Sequence, residues 1–156
     1  MTLHREVDAL LELARVVLDD LARPLPDLAT RLTAWEQTAH QARELANRVV
    51  LGAAAAAKGD PAAAERHRLV AELAVWLAVN AEWAVVMCEP HRSAPADPSP
   101  GAASGAGQTT GQQETRMAWL AARDALTHTA LGVVRMLTAS RSPRHTASLV
   151  SPDDDA

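Results

Sequence analysis

Two histidines in this chain stand four residues after a carboxylate: His40 after Glu36, and His128 after Asp124. At that spacing both members of a pair share one helix face. Helical bundles build di-metal sites from such groups when they point inward, usually with a Glu-x-x-His spacing. That spacing does not occur here. On a helical wheel, Glu36 lies roughly 80° and His40 roughly 120° from the centre of the apolar stripe on their segment. Asp124 and His128 fall roughly 140° and 180° from the Trp119 line. The expectation is two exposed ion pairs and no metal site.

Covalent chemistry finds equally little. Cys88 is the one cysteine, so an internal disulfide and a cysteine-based zinc site are both excluded. It falls on an apolar helix side, where a free cysteine serves as a small buried hydrophobe. His91 follows beyond Pro90, and no third group stands by to orient it. Neither phosphate-binding glycine pattern, G-x-x-x-x-G-K-[ST] or G-x-G-x-x-G, is present. The expectation is a protein without a catalytic site or a cofactor.

The remaining candidates are polar or aromatic. Asn80 lies on the line Leu69, Leu73, Trp76, Asn80, Trp83, Met87, an apolar side of its helix, and reads as a buried amide satisfied by a neighbour. The four tryptophans supply all the aromatic content. Trp35, Trp83 and Trp119 are expected to converge at one level, as core packing. The alternative is a small apolar ligand pocket lined by Trp35, Asn80, Trp83 and Trp119.

The elements that would position these residues are all helical. Alanine is about a fifth of the chain, there is no Ile, Phe or Tyr, and one lysine stands against fourteen arginines. That bias reads as a GC-rich bacterial coding sequence, and it favours helix over sheet. A first helix is predicted over about 3–22, with Thr2 as N-cap and a stripe of Leu3, Val7, Leu10, Ala14, Val17 and Leu21. Pro24 and Pro26 end it. A second runs over about 27–58 with Leu28, Leu32, Trp35, Ala39, Ala42, Ala46, Val49 and Ala53 on one side. Gly59 caps it, and Asp60-Pro61 starts a third over 61–89. So short a turn forces an antiparallel hairpin. It sets Val49 level with Val70, Ala46 with Leu73, Ala42 with Leu77, Ala39 with Asn80, and Trp35 with Trp83 and Ala84. Residues 90–111 are rich in Pro, Gly, Ser and Ala and read as a disordered linker. Thr110 to Gln113 has capping-box spacing, and a fourth helix follows over about 112–139, with Trp119, Ala122, Leu126, Ala130, Val133 and Leu137 inward. Residues 141–156 read as a disordered tail.

The fold class expected is therefore all-α: a four-helix bundle in one domain, residues 1–140, around a long hairpin. Helix 3 carries Val75, Val79 and Val86, with Trp83 at the margin, on its nominally polar side among Arg68, Glu72, Glu82 and Glu89. Three aligned valines imply a cover, supplied by another helix or by a second copy. Membrane insertion of 69–88 would bury Glu72, Glu82 and Asn80 at about 2.5–3.5 kcal/mol per carboxylate, so the hairpin is expected outside the membrane. A net charge of −4 argues against a nucleic-acid partner. A DNA-associated regulator would rest on Arg141 and Arg144 alone. The start of the chain lacks the apolar core of a signal peptide, so a cytoplasmic location is expected. The function expected is a non-catalytic interaction module whose partner is another protein or itself. A small-molecule- or metal-binding bundle, with or without enzymatic activity, is the alternative.

Overall fold

The computed structural model describes residues 3–23, 27–56, 58–93 and 110–141. Four helices occupy them: α1 (Leu3–Ala22), α2 (Leu28–Ala56), α3 (Pro61–Cys88) and α4 (Thr110–Arg141), with a short 3₁₀ turn at Glu89–His91. The boundaries shift slightly from the sequence expectation. Asp27 stays outside α2, and its Oδ1 accepts from the Thr30 N–H at 2.6 Å as an N-cap. The expected linker is structured at both ends, by the 3₁₀ turn on one side and by Thr110 and Gly111 inside α4 on the other. The rest of that linker, the tail beyond Arg141 and the Thr2 cap lie outside the described residues.

The hairpin forms as its turn requires. Asp60 has extended backbone, and its carboxylate accepts from the Ala62 N–H at 2.9 Å with Pro61 in the first turn. Gly59 differs from expectation. It does not adopt a left-handed conformation, and the N–H groups of both Gly59 and Asp60 donate to the Ala56 carbonyl. Along the hairpin the Gly52 backbone meets the His67 ring, and Glu36 near the other end receives Arg92 at 2.8 Å. Numbers fall on α2 as they rise on α3, so the pair is antiparallel.

The other two helices extend the alternation. Near the start of α1, Arg48 reaches Glu6 at 3.5 Å, while at its end Arg31 donates to the carbonyls of Asp20 and Arg23 at 3.3 and 2.7 Å. On α4, Thr115 lies 2.8 Å from His91, and Gly132 sits under Trp76. The result is an up-down-up-down bundle. Each helix packs on its two chain neighbours, α4 closes the ring against α1, and α1 and α3 touch little across the diagonal. α2 and α4 meet across the other diagonal through aromatic side chains.

The core follows the stripes read from three helices. Leu10, Ala14 and Val17 of α1 are buried, as are Leu28, Leu32, Trp35, Ala39, Ala42, Ala46 and Val49 of α2, and Ala122, Leu126, Ala130, Val133 and Leu137 of α4. Glu6 is a departure. It lies outside the apolar stripe of α1, yet it is buried, with Arg48 as its ionic partner.

Helix α3 departs more widely. Its buried side is Val70, Ala71, Leu73, Ala74, Leu77, Ala78, Ala81, Ala84 and Cys88. Val70, Leu73, Leu77 and Ala84 are thus inside, as the hairpin register requires. Trp76, Asn80, Trp83 and Met87 are not. The physical reason is size: five alanines turned inward let α2 and α4 approach α3 closely, and indole rings at the same positions would hold them apart.

Candidate functional site

The surface of α3 that faces away from the core is the most apolar exposed feature among the described residues. Val75, Trp76, Val79, Trp83, Val86 and Met87 are 46, 36, 48, 41, 69 and 38 % exposed, so the other described helices leave each of them at least a third open, Trp76 with one edge against α4. Four of the six, Trp76, Val79, Trp83 and Val86, follow one another at spacings of three, four and three, which lines them up as the seam of a coiled coil. Together the six leave roughly 500–600 Å² of apolar area uncovered, at the upper end of what a monomer usually shows. Toward the α2 side the strip runs into an open groove of about 680 Å³, lined by Val50, Ala53, His67, Ala71, Val75, Trp76 and Val79 with Arg68 and Glu72 at its edge.

Charges border the strip, and each is answered within the chain. Arg68 pairs with Glu65 at 2.6 Å and with Glu72 at 3.2 Å. Arg43 of α2 grips Glu82 through two donors. Arg92 joins Glu89 and Glu36, each at 2.8 Å. The guanidinium beside each holds the carboxyls of Glu65, Glu82 and Glu89 below the ordinary glutamate value. These bordering charges thus already have partners among the described residues.

The residues of the alternative pocket do not gather. Trp35, 1 % exposed, stacks on Trp119 with ring centroids 5.7 Å apart and planes 2° from parallel. The Arg31 guanidinium lies 4.4 Å from the Trp119 ring, beyond which no third tryptophan joins the stack. Trp83 stands out on the α3 surface. Asn80 is only partly covered, and its side-chain N–H donates to the Trp76 carbonyl of its own helix at 2.8 Å, so it is not the buried register-setting amide expected. An amide that bonds back along its own helix needs no core partner.

The paired carboxylates and histidines have separate partners. Glu36 binds Arg92, and His40 lies 3.4 Å from Glu44. Asp124 neighbours Arg123, and His128 meets the Trp76 ring edge-on at 6.3 Å. Among the described residues, no three His, Cys, Asp or Glu side chains come together in a way that would hold a metal ion. Cys88 is fully buried, and desolvation pushes its thiol up to about 11.

One contact was not anticipated from the sequence. A Cβ at Gly132 would stand 2.7 Å from two ring carbons of Trp76, so the α3–α4 contact depends on a glycine whose missing side chain leaves room for the far edge of the indole. The available signal was a glycine inside a strong helical pattern, where it costs stability unless packing requires it.

By fold, then, the chain is an up-down-up-down four-helix bundle with one apolar outer helix face. Comparison with protein-family models, with curated proteins and with solved structures gives no match. Pro61–His91 is the one stretch among the described residues long and apolar enough to cross a membrane, and 44 % of its most apolar window is buried in the bundle. Its apolarity is thus divided between the core and the exposed strip.

Proposed function

We propose that this chain is a non-catalytic helical interaction module of the cytoplasm that pairs with a second copy of itself through the outer side of α3. The observation that carries the reading is the uncovered strip of Trp76, Val79, Trp83 and Val86 at coiled-coil spacing. Its occupant is apolar, because the bordering charges are already paired. A second copy of the strip fits in chemistry and in size. Two copies would bury roughly 1,000–1,200 Å², just reaching the area at which specific interfaces begin. Antiparallel pairing about a two-fold axis near Val79 sets each Trp76 beside the other copy's Trp83, so one patch serves both sides. An interface of this size gives a reversible, concentration-dependent dimer. Sedimentation velocity over a dilution series tests it: the expected result is a monomer–dimer equilibrium, and a single monomeric species at every concentration would refute it.

A further inference from the structure

We propose that Leu149 and Val150, in the chain's own tail, dock into the groove between α2 and α3 and so mask one end of the α3 strip from a second copy. Pairing along the strip leaves this groove to one side, because its far wall, Val50 and Ala53, belongs to α2. Val50 is 58 % exposed, so the apolar surface there continues past the strip. The tail leaves the bundle at the right place. Two contacts, Thr115 with His91 and Gly132 with Trp76, fix the register of α4 against α3. Arg141, which ends α4, lies nine residues past Gly132, and His67 lies nine before Trp76. The tail therefore starts level with His67, at the end of the groove that His67 lines. Rounding α3 from α4 to the groove takes roughly 20 Å, an interaxial spacing plus a helix breadth. Leu149 stands eight residues beyond Arg141 and can reach roughly 26–29 Å. Leu149 and Val150 are the only large apolar residues after Arg141, and Asp153, Asp154 and Asp155 follow them closely. With the pair in the groove, that acidic run comes within reach of Lys58, which is exposed in the α2–α3 turn and has no ion pair among the described residues. A contact this small is weak, but a short tether supplies its own segment at millimolar concentration, so a millimolar site is filled about half the time. Val75, Trp76 and Val79 belong to both groove and strip, so a docked tail and a second copy exclude each other there. The masking rests on the dimer proposed above; the docking does not.

The test uses the full ¹⁵N-labelled chain, dilute enough to be monomeric, with a nitroxide attached through Ser148→Cys; the native Cys88 is buried and stays unlabelled. The amide signals of Ala53, Ala71 and Val75 are expected to broaden, while that of Val16, on α1, keeps its intensity. Leu149→Ser with Val150→Ser, which leaves the charge unchanged, should restore the groove signals. Groove signals that keep their intensity overturn the docking, as does broadening that the double variant does not relieve. Broadening as strong when the nitroxide is carried by a second, isotopically silent copy would also overturn it. Sedimentation then reads the masking without the nitroxide. With the groove filled about half the time in each copy, the double variant should dimerise about fourfold more tightly than the original chain. Equal dimer constants would overturn the masking. Failure of the dimer itself would show differently, as a monomer in both proteins with the groove broadening intact.

Discussion

Two side chains show how local geometry decides between opposing effects. Gly132→Ala removes a helix-interior glycine, a gain of about 1 kcal/mol in propensity. It also puts a methyl 2.7 Å from the Trp76 ring, and overpacking of that kind costs about 1–3 kcal/mol. Trp76 is partly exposed, so its ring can swing outward and relieve the clash, at the expense of its edge contact with His128. The expected outcome of urea unfolding is a net loss of about 1 kcal/mol or less with a red-shifted Trp76 emission. A variant more stable by the full propensity gain would show that the indole contact with Gly132 contributes nothing. Cys88 gives the second case. Buried and with its thiol at about 11, it holds almost no thiolate at pH 8. An aromatic disulfide reagent is expected to leave the folded protein unmodified at that pH and to react with one equivalent once it is unfolded. Fast labelling of the native chain would contradict the burial of the α3 end. Cys88 was readable from its place on an apolar run. The burial of Glu6 was not, because a periodic pattern says which side faces inward but not that an arginine 42 residues away reaches over to it.

The helices differ in how plainly the sequence declares them. In α1, α2 and α4, large apolar residues recur on one side and charges on the other, so the period alone picks out the buried face. In α3 apolar residues run almost all the way round, and the period is nearly silent. What chooses the inward side there is volume, with Ala71, Ala74, Ala78, Ala81 and Ala84 inside and both tryptophans outside. The turn before α3 was legible because its chemistry is local: Asp60 caps, Pro61 begins, and no long connection intervenes. That cap also titrates. The backbone N–H groups of Ala63 and Ala62, with Arg66 nearby, hold the Asp60 carboxyl below its ordinary value of 3.8. A carboxyl depressed in the folded state adds stability fully above the unfolded value, and that contribution is lost as pH falls through the folded value. The window therefore opens near 3.8 and extends downward. Asp60→Asn keeps a capping oxygen but does not titrate. Its unfolding midpoint is expected to fall less steeply than that of the original chain below that pH, with the two curves parallel above pH 5. Curves that stay parallel into the acid range would mean that the cap bond is not formed by the ionised carboxylate.

At the scale of the whole molecule, bundle order came only from the structure. The hairpin direction of α2 and α3 follows from a minimal turn, but residues 90–111 are long enough to bring α4 in either way. The packing of Trp76 on Gly132 and of His91 beside Thr115 settles it as antiparallel to α3. With the ring of four closed, the valine side of α3 has no cover left within the described chain, which turns a question about intramolecular packing into one about association. If a second copy supplies the cover, stability and assembly are linked: the melting temperature rises with protein concentration, because dimerisation draws the folded state forward by mass action. Val79→Glu places a carboxylate at the centre of the strip, where the two-fold axis would bring it against its own symmetry mate. That variant is expected to sediment as a monomer and to melt at a temperature independent of concentration. Its fold should persist, since Val79 is 48 % exposed and outside the core. Val16→Glu makes the same change on α1, at a residue 50 % exposed on the helix diagonally across the bundle from α3, and should leave association as it was. A Val79→Glu protein that dimerises as tightly as its parent would move the interface off α3, and equal losses from both variants would make the effect one of net charge rather than of a buried seam.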